Sequence, residues 1–178
     1  MRQMTARKRI SIAGISILTL AATIPAIPSA QAAEPSARHC VGDSAGTTRC
    51  FGTLAEALDS ARTQVAQKNA RLASTKGAEQ AQGEVIQGTF FDNRDYGGDS
   101  YTVVGAGLCD GSDGVINYQF NFPPEWHNRI SSVQPWANCK IWLYPENDLG
   151  GDRDGPFKTN TGWVGTMLDD RTASVGFS

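Results

Sequence analysis

The chain has 178 residues, of which 40% are hydrophobic, and a formal net charge of −2. This length accommodates one domain of ordinary size plus an appendage. Beyond the first 32 residues, Lys and Arg are not clustered along the chain, which excludes a phosphate-binding face and therefore a nucleic-acid partner.

The first 32 residues have the features of a secretory signal peptide. A basic start precedes an uncharged, mostly apolar stretch from 10 to 27, and the Ala-Gln-Ala at 30–32 is a small-x-small cleavage site. The basic residues of the start are Arg2, Arg7, Lys8 and Arg9. Pro25 and Pro28 interrupt the apolar stretch, and no basic stop-transfer flank follows it, which disfavours a permanent membrane helix. We therefore expect a secreted, extracellular protein with no membrane attachment after signal removal.

The acidic residues are concentrated in the second half of the chain. Residues 84–178 hold 13 acidic and 6 basic residues, whereas residues 33–83 hold 5 and 6. In the extracellular medium, such an acidic segment is compatible with cation binding or with solubility alone.

The four cysteines are even in number and belong to a chain expected in an oxidising compartment, so we predict two disulfides. Three pairings are possible, and we favour the one in which each bond lies within one sequence segment. These bonds are Cys40–Cys50 and Cys109–Cys139. Metal–thiolate chemistry is disfavoured because no CxxC occurs, and His39 and His127 are far apart in sequence.

Residues 33–83 predict a disulfide loop, one amphipathic helix and a linker. Thr53 and Glu56 have the spacing of a capping box, which predicts a helix over about 54–72. The apolar stripe of this helix is Leu54, Leu58, Ala61, Val65 and Leu72. Because the stripe is thin and rich in alanine, we expect the helix to be loosely docked or hinged. Residues 74–83 hold two glycines and no large apolar residue, as in a linker.

From residue 84 the pattern changes to short apolar runs separated by turns rich in Gly, Asp and Asn. The predicted strands are residues 85–86, 90–91, 101–104, 115–120, 141–144 and 163–164. Many short strands with frequent turn signals predict an all-β antiparallel sandwich or barrel over residues 84–178.

An internal repeat lies within these strands. Residues 91–100 align with residues 144–153, since each segment has an aromatic residue, a polar turn and then Gly-Gly-Asp. A second shared element aligns residues 128–133 with residues 170–175. The first copy is the longer one, and its insertion contains Cys109. The repeat predicts two copies of one structural unit.

The two copies resemble the Greek-key motif of βγ-crystallins, which is an aromatic residue, six residues, a glycine, one residue and a serine. The matching positions are Phe91, Gly98 and Ser100 in the first copy and Tyr144 and Gly151 in the second. Arg153 replaces the serine of the second copy. A glycine is needed where the turn takes a left-handed backbone conformation, and the serine hydroxyl is expected to satisfy backbone groups of the turn. The resemblance implies a β-sandwich of two Greek keys over residues 84–178.

The family also has a calcium signature of two Asn or Asp residues, two variable positions, a Ser or Thr, and a Ser. Residues 127–132 match it except for His127, and residues 169–174 match it except for Ala173. The resemblance implies Ca²⁺ ligands among Asn128, Ser131, Asp169 and Asp170, with backbone oxygens near Asn93 and Asn147. Calcium prefers such oxygen ligands. Because each signature departs at one position, we expect weak binding; the alternative is that these polar groups merely satisfy each other in turns.

We do not expect an enzyme. A Ser-His-Asp or Cys-His site needs a histidine base, but His127 occupies a signature slot and the cysteines are expected to be oxidised. The tryptophans, which could line a sugar-binding surface, are expected mostly in the core. They are Trp126, Trp136, Trp142 and Trp163.

The functional hypothesis is a secreted, monomeric, non-enzymatic module that binds calcium weakly. Secreted bacterial members of the family include metalloproteinase inhibitors and killer-toxin-like proteins. The alternative is therefore an inhibitor of an extracellular metalloprotease, and a weaker one is an antimicrobial role. An inhibitor could present the loop between Cys109 and Cys139, or the turns at 92–97 and 146–150. An extracellular protease is the one partner that this reading suggests.

Overall fold

A computed structural model of the protein describes residues 37–74 and 83–178. The predicted signal peptide and most of the predicted linker lie outside the described residues. Within the two described ranges, no helix combines the length and apolar character needed to cross a bilayer.

The described chain forms one α-helix and nine β-strands. In chain order they are β1 His39–Asp43, β2 Thr48–Phe51, α1 Leu54–Ser74, β3 Val85–Phe91, β4 Ser100–Gly105, β5 Tyr118–Asn121, β6 Ser132–Pro135, β7 Ile141–Tyr144, β8 Asp154–Phe157 and β9 Ser174–Phe177. Short 3-10 turns follow β3, β5 and β7, at Arg94–Tyr96, Pro124–Trp126 and Asn147–Leu149.

The strands form two sheets whose order shows how the copies interlock. The first sheet has the order β2-β1-β4-β3-β6 and the second has β5-β9-β7-β8. β5, the third strand of the first copy, therefore lies in the sheet of the second copy. The corresponding segment of the second copy returns to the first sheet through an antiparallel bridge between Thr161 and Val133. This exchange confirms the predicted β-sandwich of two Greek keys.

The two repeated turns have almost the same backbone. Gly98 and Gly151 have φ angles of +73° and +80°, and the preceding Asp95 and Asp148 have φ angles of 54° and 55°. A Cβ on Gly98 would collide with the side chain of Asp92. The glycine is therefore required by both conformation and space. The predicted duplication of the turn is confirmed.

Aromatic rings and aliphatic side chains together fill the space between the sheets. Tyr101 lies at the centre, with its ring centroid 5.7 Å from Phe120, 5.6 Å from Phe122 and 5.4 Å from Trp126. Tyr101 is fully buried, and Trp126 is 3% exposed. The pairs with Phe122 and Trp126 are edge-to-face, and such pairs contribute about 0.5–1.5 kcal/mol each beyond their buried area. These contacts join strands of both sheets.

The first sheet begins before residue 84, where the sequence pattern predicts the first strand. β1 pairs in parallel with β4 along its whole length, and β2 pairs antiparallel with β1. The parallel pairing of residues about sixty positions apart leaves no periodic signal in the sequence. Residues 39–51 are thus strands of the sandwich as well as a disulfide loop.

Helix α1 lies on the outer face of the first sheet instead of hinging away from it. Ala57 and Ala61 are fully buried and belong to one apolar cluster with Val41, Ile86 and Val104. The alanine-rich stripe that suggested weak docking allows the helix backbone to approach the strands closely. The helix begins at Leu54, as the capping box predicts, and Glu56 N–H donates to Thr53 Oγ1 at 3.2 Å.

Both predicted disulfides are confirmed. Cys40–Cys50 joins directly opposite positions of β1 and β2. Cys109–Cys139 ties the insertion of the first copy to the segment before β7. Cys50 is exposed, whereas the other cysteines are buried.

Several predicted strands differ from the structure. Residues 85–86 and 90–91, predicted as two strands, are the two ends of the single strand β3. β5 begins at Tyr118, and Val115 is 63% exposed, so the predicted strand over 115–120 starts too early. Residues 163–164 form no strand. Trp163 is 40% exposed, and Gly165 at φ +89° breaks the extended backbone just after it. Trp126 and Trp142 are buried as expected.

Candidate cation site between the two copies

Backbone hydrogen bonds bring the two signature segments together. Asp170 N–H donates to Ile130 O at 3.1 Å, and Val164 N–H donates to Ser131 O at 2.9 Å. Asp170 adopts a left-handed φ of 55°, a conformation that Asp tolerates better than most residues. These contacts place Ser131 Oγ 3.4 Å from Asp170 Oδ1, to which it donates.

Asp169 contributes a second carboxylate at this point. Its Oδ2 accepts hydrogen bonds from Arg94 Nη2 at 2.9 Å and from Trp163 Nε1 at 2.8 Å. Its Oδ1 is buried and accepts no hydrogen bond within 3.5 Å, although the Ser131 hydroxyl lies close enough to stabilise the carboxylate. Leaving a buried carboxylate oxygen unpaired is unfavourable, so this atom is suited to accept a ligand.

The surroundings keep Asp169 ionised. Burial raises the pKa of its carboxyl, but the Ser131 hydroxyl, the Trp163 indole and the Arg94 guanidinium outweigh that effect. The net pKa of Asp169 therefore lies below its ordinary value. The site thus presents an anionic oxygen at neutral pH.

We define the signature cluster as Ser131, Asp169 and Asp170. Its donor set is two carboxylates and a hydroxyl, which are ligands suited to calcium. It offers fewer oxygens than the six to eight that calcium takes, so water or backbone oxygens would complete the shell. Across residues 37–74 and 83–178, no three or more His, Cys, Asp or Glu side chains converge closely enough to hold a metal alone.

The predicted backbone ligand near Asn93 is already engaged. Asn93 O accepts a hydrogen bond from Ser132 Oγ at 2.7 Å, and Ser132 Oγ accepts one from Tyr96 N–H at 3.0 Å. The last serine of the signature therefore closes the first repeated turn. Asn93 O retains a second lone pair, and its neighbour Arg94 reaches the signature cluster.

The equivalent closure occurs in the second copy. Ser174 Oγ donates to Glu146 O at 2.5 Å and accepts from Leu149 N–H at 3.2 Å. Asn147 begins the 3-10 turn here. The next residue, Asp148, exchanges two 2.8 Å hydrogen bonds with Asn121.

The internal repeat creates a second position equivalent to the signature cluster, at residues 127–128 and 173, and this position lacks the cation-binding groups. Asn128 has the same left-handed backbone as Asp170, with a φ of 58°, and its N–H donates to Thr172 O at 2.9 Å. Ala173 replaces Ser131 there, so that a hydroxyl is missing. His127 replaces Asp169, and its Nε2 lies 2.9 Å from Phe122 O, with which it hydrogen bonds. These residues do not fit a calcium ion as the signature cluster does.

The structure thus brings Ser131, Asp169 and Asp170 together, while Asn128 and Asn147 belong to the symmetry-equivalent position. Sequence reasoning missed Arg94 and Trp163, which both bind Asp169. A signal was present for Arg94, because a cation interrupts an otherwise acidic and amide-bearing turn and aligns with Asn147.

A second charged cluster holds the first turn together. Arg129 Nη2 donates to Asp92 Oδ2 at 2.6 Å and to Asp99 Oδ2 at 2.8 Å, and the guanidinium lies 4.6 Å from the ring centroid of Trp126. Burial raises the pKa of Asp99, but hydrogen bonds from Arg38 N–H and Arg129 lower it by more than burial raises it, so the net pKa is depressed. One arginine thus compensates two carboxylates.

The motif serine of the first copy differs from expectation. Ser100 Oγ lies 2.8 Å from His39 Nδ1, and the two share a hydrogen bond, so the hydroxyl contacts β1 instead of turn backbone groups. Ser100 is fully buried, which closes its hydroxyl to any substrate in this arrangement.

No protein-family model matches the chain, and no curated protein matches it. Among solved structures, the chain is similar to a βγ-crystallin domain from Clostridium beijerinckii at 17% identity and a TM-score of 0.38, over 51% of this chain and 95% of that one. A βγ-crystallin domain from Flavobacterium johnsoniae is similar at 17% identity and a TM-score of 0.38, over 51% and 92%. The N-terminal domain of protein S is similar at 20% identity and a TM-score of 0.39, over 52% and 94%.

Proposed function

We propose that this protein is a secreted, non-enzymatic module of the βγ-crystallin type that binds one Ca²⁺ ion weakly at the signature cluster. The observation that carries the proposal is the buried, unpaired Oδ1 of Asp169 beside the Ser131–Asp170 contact. Two carboxylates and a hydroxyl from both copies converge there, and a hard divalent cation would satisfy the unpaired oxygen.

Weak binding follows from the donor count. Ser131, Asp169 and Asp170 supply fewer oxygens than calcium prefers, and Asp169 already has a cationic partner in Arg94. Extracellular calcium modules bind with dissociation constants of about 10⁻⁴–10⁻³ M. At ten times such a constant, calcium would stabilise the fold by about 1.4 kcal/mol.

Calorimetric titration of the chelator-stripped protein tests this function. We expect binding of one calcium ion and a rise of a few degrees in melting temperature at millimolar calcium. Asp170→Asn should weaken the affinity at least about tenfold, because it removes a ligand charge while keeping a side chain that tolerates the left-handed backbone.

The matched control is Asp152→Asn, which makes the same charge change at an exposed position of the second turn. This variant should bind calcium as the wild type does. If the wild type shows neither heat of binding nor a shift in melting temperature, the proposal is rejected. If the two variants lose calcium affinity equally, the assigned site is rejected.

We also propose that the protein is secreted. Two disulfides, Cys40–Cys50 and Cys109–Cys139, support folding in an oxidising compartment. Expression of the full chain in a secreting bacterial host should yield a mature protein that begins at Ala33. Intact-mass measurement of the exported protein checks this boundary, and retention of residues 1–32 would contradict it.

Inhibition of a secreted metalloprotease is a second candidate, favoured by one observation. Leu108 is 56% exposed and Val115 is 63% exposed, and both lie in the insertion that the Cys109–Cys139 disulfide braces. A braced loop with exposed apolar side chains is the kind of rigid element that a protease can bind with little rearrangement.

A panel of secreted metalloproteases tests this candidate. Inhibition at a stoichiometric ratio should be lost in Leu108→Ser but kept in Met167→Ser. Met167 is a matched apolar control because it is 41% exposed and lies outside the insertion. Unimpaired proteolysis at an excess of the wild type would reject the candidate.

A further inference from the structure

We propose that Arg94 is a built-in cation of the signature cluster, which Ca²⁺ must displace from Asp169 before it can bind both carboxylates. This inference rests on the proposed calcium function. It adds that calcium affinity is set by a residue outside the signature, and that binding opens the contact between Arg94 and Trp163.

The loop that carries Trp163 is fixed against the turn that carries Arg94. Asp95 N–H donates to Gly162 O at 2.8 Å. A Cβ on Gly162 would lie 2.6 Å from Asp95 Oδ1, so the two segments approach each other closely here. The guanidinium of Arg94 then lies 4.2 Å from the ring centroid of Trp163. Backbone docking therefore places the cation and the indole together.

Both groups converge on the same oxygen. Arg94 Nη2 and Trp163 Nε1 donate to Asp169 Oδ2, at 2.9 Å and 2.8 Å. The other oxygen, Oδ1, remains buried and unpaired. A monovalent guanidinium thus engages one side of the carboxylate and leaves the other unsatisfied. A divalent ion that bound Asp169 and Asp170 together would neutralise both charges and pair Oδ1 as well.

Arg94 is held loosely enough to be displaced. Its side chain is 57% exposed, and exposed ion pairs and cation–π contacts are individually weak. Displacement would release the guanidinium to water with little loss. Removing Arg94 should therefore strengthen calcium binding by about tenfold, which is the combined size of two such weak contacts.

The equivalent position supports this assignment by contrast. Asn147 stands in the second turn where Arg94 stands in the first, and His127 stands where Asp169 does. Of the two equivalent positions, the one that retains the carboxylate is therefore the one whose facing turn carries the arginine. A structural requirement of the turn itself does not explain Arg94, because the second turn has the same backbone without it.

The first measurement is a calcium titration of the chelator-stripped wild type, Arg94→Gln and Arg171→Gln. Arg171 is exposed and adjoins Asp170, so its variant loses the same charge in the same region. We expect about tenfold tighter binding in Arg94→Gln and less than twofold change in Arg171→Gln. Arg94→Lys, which keeps the charge but not the planar stack, should lie between wild type and Arg94→Gln.

The second measurement is tryptophan fluorescence during the same titration. Calcium should change the emission of the wild type as the guanidinium leaves the indole, and Trp163→Phe should abolish that change. Arg94→Gln, which has no cation to displace, should bind calcium with little change in emission. This readout does not depend on affinity alone.

The outcomes separate the two proposals. If wild type and Arg94→Gln bind calcium with equal affinity, the role of Arg94 is overturned and the calcium function stays intact. The same holds if Arg171→Gln strengthens calcium binding as much as Arg94→Gln does. Binding by Arg94→Gln but not by the wild type would support the role of Arg94 and reject the calcium function of the wild type. Absence of binding in every variant would overturn both.

Discussion

The phenol of Tyr101 occupies the space in which any side chain at Gly42 would lie. Gly42 belongs to β1, and Tyr101 belongs to β4, at the centre of the aromatic core. The Tyr101 hydroxyl also shares a 2.8 Å hydrogen bond with Thr48 Oγ1, at the start of β2. A glycine in the first hairpin thus allows a core tyrosine to reach through to that hairpin.

Gly42→Ala should destabilise the fold. The added methyl group would collide with the buried ring of Tyr101, and overpacking of this kind typically costs about 1–3 kcal/mol. Urea denaturation measures the loss. Gly52→Ala is the matched control, because its Cβ would make only an ordinary 3.8 Å contact with Glu56. Equal stability of the two variants would contradict the role of Gly42.

Thr53→Ala should destabilise α1 by about 1 kcal/mol. Thr53 Oγ1 accepts from Glu56 N–H at 3.2 Å, and Glu56 Oε2 accepts from Thr53 N–H at 3.1 Å. Alanine removes the first of these bonds and leaves an N–H of the first turn without a capping partner. Thr53→Ser retains the cap and should match the wild type. Thermal unfolding followed by circular dichroism compares the three proteins, and an undiminished melting temperature in Thr53→Ala would contradict the cap.

Arg129→Gln should reduce stability in a pH-dependent way. The folded pKa of Asp99 is depressed, so this carboxylate contributes stability that is present above its unfolded pKa and is lost as pH falls through the folded value. Arg129 supports that depression. The variant should therefore be less stable by about 1–2 kcal/mol at pH 7, with allowance for solvent screening of a guanidinium that is only partly buried.

The stability difference between wild type and Arg129→Gln should narrow as pH falls below the ordinary pKa of an Asp carboxyl, about 3.9, toward the depressed folded pKa of Asp99 in the wild type. Urea denaturation at pH 7 and at pH 3 measures it. A difference of the same size at both pH values would show that Arg129 acts through packing on Trp126 and not through the carboxylates.

The two disulfides should differ in their contribution to stability. Cys109–Cys139 closes a separation of 30 residues and Cys40–Cys50 closes 10. In the chain-entropy model these loops correspond to about 3.5 and about 2.5 kcal/mol. Replacing the first pair with serine should therefore lower the free energy of unfolding more than replacing the second. Denaturation of the two double variants decides the order, and the reverse order would imply that strain or packing outweighs loop closure.

The sandwich was predictable because its signals are local. The aromatic residue, the glycine and the polar turn of each copy lie within ten residues, and Gly98 and Gly151 satisfy a backbone requirement that no distant contact can alter. The capping box at Thr53 is local in the same sense. The parallel pairing of β1 with β4 is not a local signal, because it joins residues about sixty positions apart in the sequence.

The candidate site was only partly predictable for the same reason. The signature pattern named Ser131, Asp169 and Asp170, which the fold brings together. The hydrogen bond between Arg94 and Asp169 joins residues 75 positions apart, and an arginine in the first turn does not by itself identify that partner. Trp163 was assigned to a strand from its apolar neighbour, although glycines at 162 and 165 give its loop a different path.

The parallel pairing of β1 with β4 has a practical consequence for truncation. A fragment starting at residue 84 would retain both Greek keys but would leave the backbone groups along one side of β4 without partners. Exposed strands of this kind recruit other chains. Such a fragment should self-associate, so the hairpin and helix act as a shield that keeps each molecule separate from its neighbours.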